Sequence, residues 1–299
     1  MADAALQRRL DARSASPDRL GWLALLAGTA IIAWSGVIAR FLDVGPLAGA
    51  AWRMGLAVPA LALGARLASG RRLAIAEAAP FAVPLILAGL AFAADVGCFH
   101  IALTGTKVAN ASFIGNLSPI LAIVGGALFF REHPPARAWF ALALALFGGW
   151  MMAGMGPPTG LGYGDVFALA ASVAYAAYLL IIKRLRLGLD GPTATLWAAA
   201  VSAVVLALAA CIRGEVLIPH SAAGWIAVAL LGFVSHALGQ GLTSVAIGRL
   251  PVAPVALVLL AQPPFSAIIA LCVLGESMSP LQILGGAIIL VAALTSRSR

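Results

Sequence analysis

The sequence predicts an all-α polytopic membrane protein, with ten transmembrane helices arranged as two inverted five-helix repeats around a central cavity. Three observations carry this expectation. Of 299 residues, 62% are hydrophobic and only 10% charged, and the mean hydropathy is +1.03, far outside the range of soluble domains. Cutting the chain at Pro, Gly and charge clusters leaves ten apolar runs, each close to the roughly 20 residues that cross a bilayer. Finally, the chain repeats itself. Sliding it by 144 residues without a gap places Arg40 on Arg184, Gly97 on Gly241, Pro119 on Pro263 and Glu132 on Glu276. Apolar matches mean little in so Ala-rich a chain, so the weight rests on the Arg, Pro and Glu coincidences in one register.

The spans follow in order. The first, 20–40, comes after a polar, basic stretch, and the second, 46–66, runs from Pro46 to Arg66. The third, 78–103, follows Arg71 and Arg72, and the fourth, 107–130, closes on Arg131-Glu132. The fifth, 136–154, lies between Pro134-Pro135 and Pro157-Pro158. In the second copy, 163–183 ends at Lys183-Arg184, 192–212 at Arg213 and 222–247 at Gly248-Arg249. The ninth, 251–274, closes on Gly275-Glu276, and the tenth, 280–296, on Arg297. Long runs without strict alternation are helices rather than barrel strands, since every backbone group in hydrocarbon needs an internal partner. Five spans per copy is an odd number, so the second copy enters the membrane from the opposite side and the repeat is inverted. The expected organisation is a cytoplasmic N-terminal segment 1–19, a first repeat 20–154, a connecting loop 155–162, a second repeat 163–296 and a cytoplasmic C-terminus 297–299.

All but four of the 19 Lys and Arg residues (Arg40, Arg53, Lys107 and Arg213) fall on the side expected to hold both termini. By the positive-inside rule that side is cytoplasmic, and the net charge of +8 is then a topology signal that needs no nucleic-acid partner. The basic, polar first 19 residues and the long apolar run behind them predict no cleaved signal. Cys98, Cys211 and Cys272 lie in apolar runs and indicate neither a disulfide framework nor a metal site. No phosphate-binding loop is present to power transport with ATP. Gly162-Tyr163-Gly164-Asp165 spells an intramembrane aspartyl-protease motif, but an acid at the mouth of the sixth span reads as helix capping. The pairs Gly125-Gly126, Gly148-Gly149 and Gly285-Gly286 read as close helix contacts.

Polar residues inside the spans are few and therefore informative. On the third and fourth spans they include Asp95, His100, Asn116 and Ser118. On the eighth, His236, Gln240 and Thr243 form one stripe at i, i+4, i+7 spacing, either a hydrogen-bonded helix seam or the wall of a wet cavity. The register pairs this stripe with Phe92, Val96 and Phe99, so a polar wall faces an aromatic one. With Trp34, Tyr175, Tyr178 and Gln262 these residues outline a candidate cavity for an amphipathic, ring-bearing molecule with a polar head. Trp34 and Tyr175 have packing as the alternative reading. Arg53 and Asp95 lie at similar depth, about 10–12 Å, on consecutive antiparallel helices, which permits an ion pair acting as strut or gate. Pro119, Pro263 and Pro264 are candidate hinges.

The stretch Gly105-Thr106-Lys107-Val108-Ala109-Asn110-Ala111-Ser112, followed by Leu117-Ser118-Pro119-Ile120 and Phe130-Arg131-Glu132, resembles the fourth-helix signature of EamA-type permeases of the drug/metabolite transporter superfamily. Val252-Ala253-Pro254, Gln262-Pro263-Pro264 and Leu274-Gly275-Glu276 echo it, departing only by a doubled proline. Ala33-Trp34-Ser35-Gly36 with Arg40, and Gly164-Asp165 with Tyr175 and Arg184, resemble the family's first and sixth helices. Within the family the chain looks most like the bacterial exporters of aromatic amino acids. That resemblance implies a secondary carrier in the bacterial inner membrane, without cofactor, exporting amino acids and related small amphipathic metabolites by alternating access. A broad drug or organic-cation exporter, an importer and, more remotely, an intramembrane enzyme are the alternatives.

Overall fold

The computed structural model describes residues 18–69, 78–106, 114–115, 117–154 and 162–295. Ten apolar helices make up the described chain, which contains no strand. They are α1 (Arg19–Ile38), α2 (Pro46–Ser69), α3 (Ala82–Gly105), α4 (Ser118–Phe130), α5 (Ala136–Met152), α6 (Tyr163–Leu185), α7 (Gly191–Ile212), α8 (Ala222–Ile247), α9 (Val252–Leu274) and α10 (Pro280–Thr295). Seven are long enough alone to cross a bilayer, and α4, α5 and α10 are shorter apolar helices. The starts are set by short polar side chains that satisfy orphan amides. Asp18 accepts from Gly21 N at 2.9 Å, Asp190 from Thr193 N at 2.8 Å and Ser221 from Gly224 N at 2.9 Å.

Inversion is visible where the ends meet. The N-terminal end of α1 packs Gly21 against Arg249 and Leu250, and the C-terminal end of α6 reaches the same loop, through Lys183 Nζ donating to Leu250 O at 3.2 Å. Repeat partners thus run antiparallel. This end of the bundle is called the termini end below, and the other the far end.

The 144-residue register holds at the level of single hydrogen bonds. Helix α4 matches, residue for residue, the second piece of α9, Gln262–Leu274. Both are preceded by a break, with Leu117 N bonding Ile114 O at 3.0 Å and Ala261 N bonding Val258 O at 2.9 Å. Both end on a left-handed residue, Arg131 at φ 53° and Gly275 at φ 68°, and both then close an amide back on the helix, Glu132 N to Gly126 O at 3.2 Å and Glu276 N to Ala270 O at 3.4 Å. Pro119 and Pro263 sit in the first turn of these pieces. They start helices after a break, where a missing N–H costs nothing, instead of interrupting a continuous one.

The two repeats interlock. Helix α1 packs on α8, α3 on α6, α2 on α7 and α5 on α10. Small residues allow the closest approaches. A Cβ on Gly148 would lie 2.6 Å from Gly285 O, and one on Gly28 would lie 2.8 Å from Gly239 O. The middle of α8, Leu230–Gln240, is π-helical, which widens the turn and re-aims the side chains that follow.

Candidate functional site

A cavity of about 660 Å³ extends from the middle of the bundle toward its far end, within the size range of small-molecule sites. Its walls are Ile32, Ala33, Ser35 and Gly36 of α1, Arg53 of α2, the α3 stripe Phe92, Asp95, Val96 and Phe99, Tyr175 of α6 and Gln240 of α8. Ser118 and Pro119 of α4, with Gln262, Pro263 and Ser266 of α9, join the lining at the two helix breaks, and the ends of α5 and α10 add Met152, Ala153 and Gln282.

The floor is aromatic. Phe92 lies 4.6 Å from Tyr178 and 6.5 Å from Tyr175, ring centre to ring centre, and the two tyrosines stack at 6.1 Å and 21°. Gln240 Nε2 donates to Tyr178 Oη at 3.2 Å, which holds the carboxamide against the floor.

Two charges line this cavity, Arg53 and Asp95, and they do not form an ion pair. The pair expected from their matching depth is therefore not made. Depth along the helices is right, but α2 and α3 touch each other only lightly and both pack more extensively on α7. Arg53 Nε is buried without a hydrogen-bond partner. A cation and an anion held apart over aromatic rings can receive a molecule that carries both charges and a ring.

Other expected site residues fall elsewhere. Trp34 is 45% exposed and off the lining. At about 100° per residue, the arc holding Ile32, Ala33, Ser35 and Gly36 leaves position 34 on the opposite face. Its repeat partner Tyr178 is only 2% exposed and lies beneath the floor. His100 is off the lining too and holds Val96 O at 2.7 Å through Nδ1. The stripe on α8 divides three ways. Gln240 meets the cavity, Thr243 is buried in the seam and donates to Gly239 O at 3.1 Å, and His236 is 1% exposed behind Phe92 at a ring distance of 5.4 Å. Pro264 is buried against Gly286. Asn116 lies outside the described residues. Asp165 has both oxygens occupied, by the Thr106 hydroxyl at 2.7 Å and Gly162 N at 2.9 Å, as a capping residue should.

The termini end carries a feature that the sequence did not single out. The buried Lys183 forms an ion pair with the half-buried Glu132, Lys183 also lies 5.5 Å from the Phe130 ring centre, and Val252 N donates to Glu132 Oε2 at 2.8 Å. One carboxylate thus ties α4, α6 and the start of α9 together below the cavity. The register pointed to Arg184, which is exposed; its neighbour Lys183 faces inward.

The family model described as the EamA-like transporter family matches residues 19–154 and again 162–297. Among solved structures, one titled "Crystal structure of protein" is similar with a TM-score of 0.77 and 20% identity over 91% of this chain and 95% of that one, a likeness of fold. A comparison with curated proteins finds no match.

Proposed function

Because this chain belongs to the EamA-like transporter family, with both repeats matched, it is a multi-pass membrane transporter, and we propose that it exports amino acids, aromatic ones foremost, together with related small amphipathic metabolites. The observation that carries this reading is the unpaired Arg53 and Asp95 on the wall of an aromatic-floored cavity. Arg53 meets the carboxylate, Asp95 the ammonium, and Phe92, Phe99 and Tyr175 the ring. An organic cation is the second reading, favoured by Asp95 and the rings and opposed by Arg53.

The charge distribution supports both termini in the cytoplasm of a bacterial inner membrane, so the cavity faces outward in this conformation. Because α1 packs on α8 and α3 on α6, alternation is carried by these mixed pairs. Transport runs down the substrate gradient without obligatory proton coupling. Uptake of radiolabelled Phe, Trp, Thr and an organic cation into proteoliposomes, with and without a pH gradient, tests the proposal. Trp and Phe should enter in preference to Thr and the cation, with or without the gradient. Transport of the cation alone would replace the reading, and proton movement driven by substrate and abolished by Asp95→Asn would overturn the uncoupled mechanism.

A further inference from the structure

Exchanging the conformations of two inverted repeats turns a molecule open at one end into a molecule open at the other. Each residue then takes the surroundings now held by its partner 144 positions away, as Arg40 and Arg184 are. The centre of that exchange is visible here. Phe92 and His236 are repeat partners, and their rings lie against each other, 5.4 Å apart. Phe92 faces the cavity, and His236 is 1% exposed behind it, with both ring nitrogens buried and without a hydrogen-bond partner. The neighbouring Ser235 hydroxyl is in the same condition. Buried polar atoms without partners are rare in folded proteins, and each calls for a role.

We propose that His236, with Gln240, Thr243 and Trp197, lines a second binding cavity that opens at the termini end once the Lys183–Glu132 tie is released. The inference rests on the carrier reading above and extends it to the state this structure does not occupy. In the exchanged state His236 takes the place of Phe92, Gln240 that of Val96 and Thr243 that of Phe99. The charges do not follow, because Arg53 corresponds to Trp197 and Asp95 to Gly239. At its centre the second cavity is therefore neutral, built of an imidazole, a carboxamide, a hydroxyl and an indole. It takes the same class of ring-bearing solute with a polar head, through neutral hydrogen bonds, and holds it less tightly than the charged cavity. The two sides of the membrane are thereby given different affinities for one solute.

Substituted-cysteine labelling tests this. In a chain with Cys98, Cys211 and Cys272 replaced by alanine, Thr243→Cys should react with a membrane-impermeant maleimide added on the N-terminal side, and its partner Phe99→Cys with reagent added on the opposite side. Labelling is read with and without L-tryptophan, so the cavity is judged on reactivity whether or not tryptophan is carried. A Thr243→Cys chain that never reacts from the N-terminal side overturns the second cavity, and if it still carries tryptophan the carrier reading survives. A wild-type chain that carries neither amino acids nor cations overturns the carrier reading instead. As a second measurement, His236→Phe keeps the ring stack and removes the hydrogen bonds. It should raise the ratio of the tryptophan KM on the N-terminal side to that on the opposite side about five-fold, and an unchanged ratio overturns the assignment of His236.

Discussion

The two ends of the bundle carry the same glutamate in the same repeat position, and treat it in opposite ways. At the termini end Glu132, half-buried, pairs with the buried Lys183 and accepts the amide that starts α9. At the far end Glu276 meets Arg40 at 3.2 Å with side chains 47% and 66% exposed. One ion pair ties helices together at its end, and the other lies exposed at its own. A repeat that folds alike in both copies thus puts the same glutamate in two different surroundings. The same contrast holds for the partners Trp34 and Tyr178, one exposed and the other buried. Burial decides what each pair is worth. Removing one member of a buried pair strands a charge, which costs about 3–5 kcal/mol, whereas an exposed pair contributes about 0–1 kcal/mol.

The largest effect is therefore expected at Glu132. Glu132→Gln should lower the melting temperature sharply in detergent, and adding Lys183→Met should recover much of the loss by removing the stranded cation. Glu276→Gln should leave the melt nearly unchanged. Equal sensitivity at both ends would break the comparison. Next come the helix breaks. Pro119→Ala and Pro263→Ala restore the amide that would let the broken helices run on, so transport should slow several-fold while the protein stays folded and monodisperse; full activity in both would reduce the prolines to packing. Gln240→Leu should raise the KM for tryptophan by about ten-fold, with the loss of one Tyr178 bond costing about 1 kcal/mol of stability. Stability lost with KM unchanged would move Gln240 from the cavity to the seam.

A smaller, pH-dependent effect belongs to the far-end loops, where Asp43 ties the α1–α2 connection to the start of α8. The Ser221 hydroxyl, followed by the Ser221 amide, the His220 imidazole at 3.8 Å and the His220 amide, holds the Asp43 carboxyl below its ordinary value. A lowered carboxylate adds stability that is complete above its unfolded pKa, near 3.9, and is lost as pH falls through the folded value. Melts should therefore weaken below about pH 4 in the wild type and less so in Asp43→Asn; parallel acid profiles would remove Asp43 from the tie. Smallest of all, Arg131→Gly relieves a left-handed residue where the other repeat already has Gly275, and should stabilise by up to about 1 kcal/mol. A destabilised Arg131→Gly chain would show that the Arg side chain matters more than its backbone.

Hydropathy and the ungapped register made the fold readable, because a bilayer demands apolar runs of a fixed length and an odd repeat forces inversion. The site was readable in depth and less so in direction. Arg53, Phe92, Asp95, Phe99, Tyr175, Gln240 and Gln262 were picked as scarce polar or aromatic residues, and the structure places all of them on the lining. Trp34 shares their depth but faces away, and no symmetry argument fixes a helix's rotation. Arg53 and Asp95 share a depth without touching, since how closely two consecutive helices pack is a tertiary fact. Lys183 was hidden behind the better register match of Arg184. The π-helical stretch of α8, which aims His236 and Gln240, left no mark on the periodicity.

The account turns on two unpaired charges receiving one zwitterion. The measurement closest to that claim compares KM for tryptophan and for a flat organic cation in proteoliposomes of wild type, Arg53→Gln and Asp95→Asn. Arg53→Gln should raise the tryptophan KM by at least about ten-fold, the worth of a lost charge-assisted bond, while lowering that for the cation. Asp95→Asn should impair both. Tryptophan transport that is indifferent to both substitutions would contradict the account.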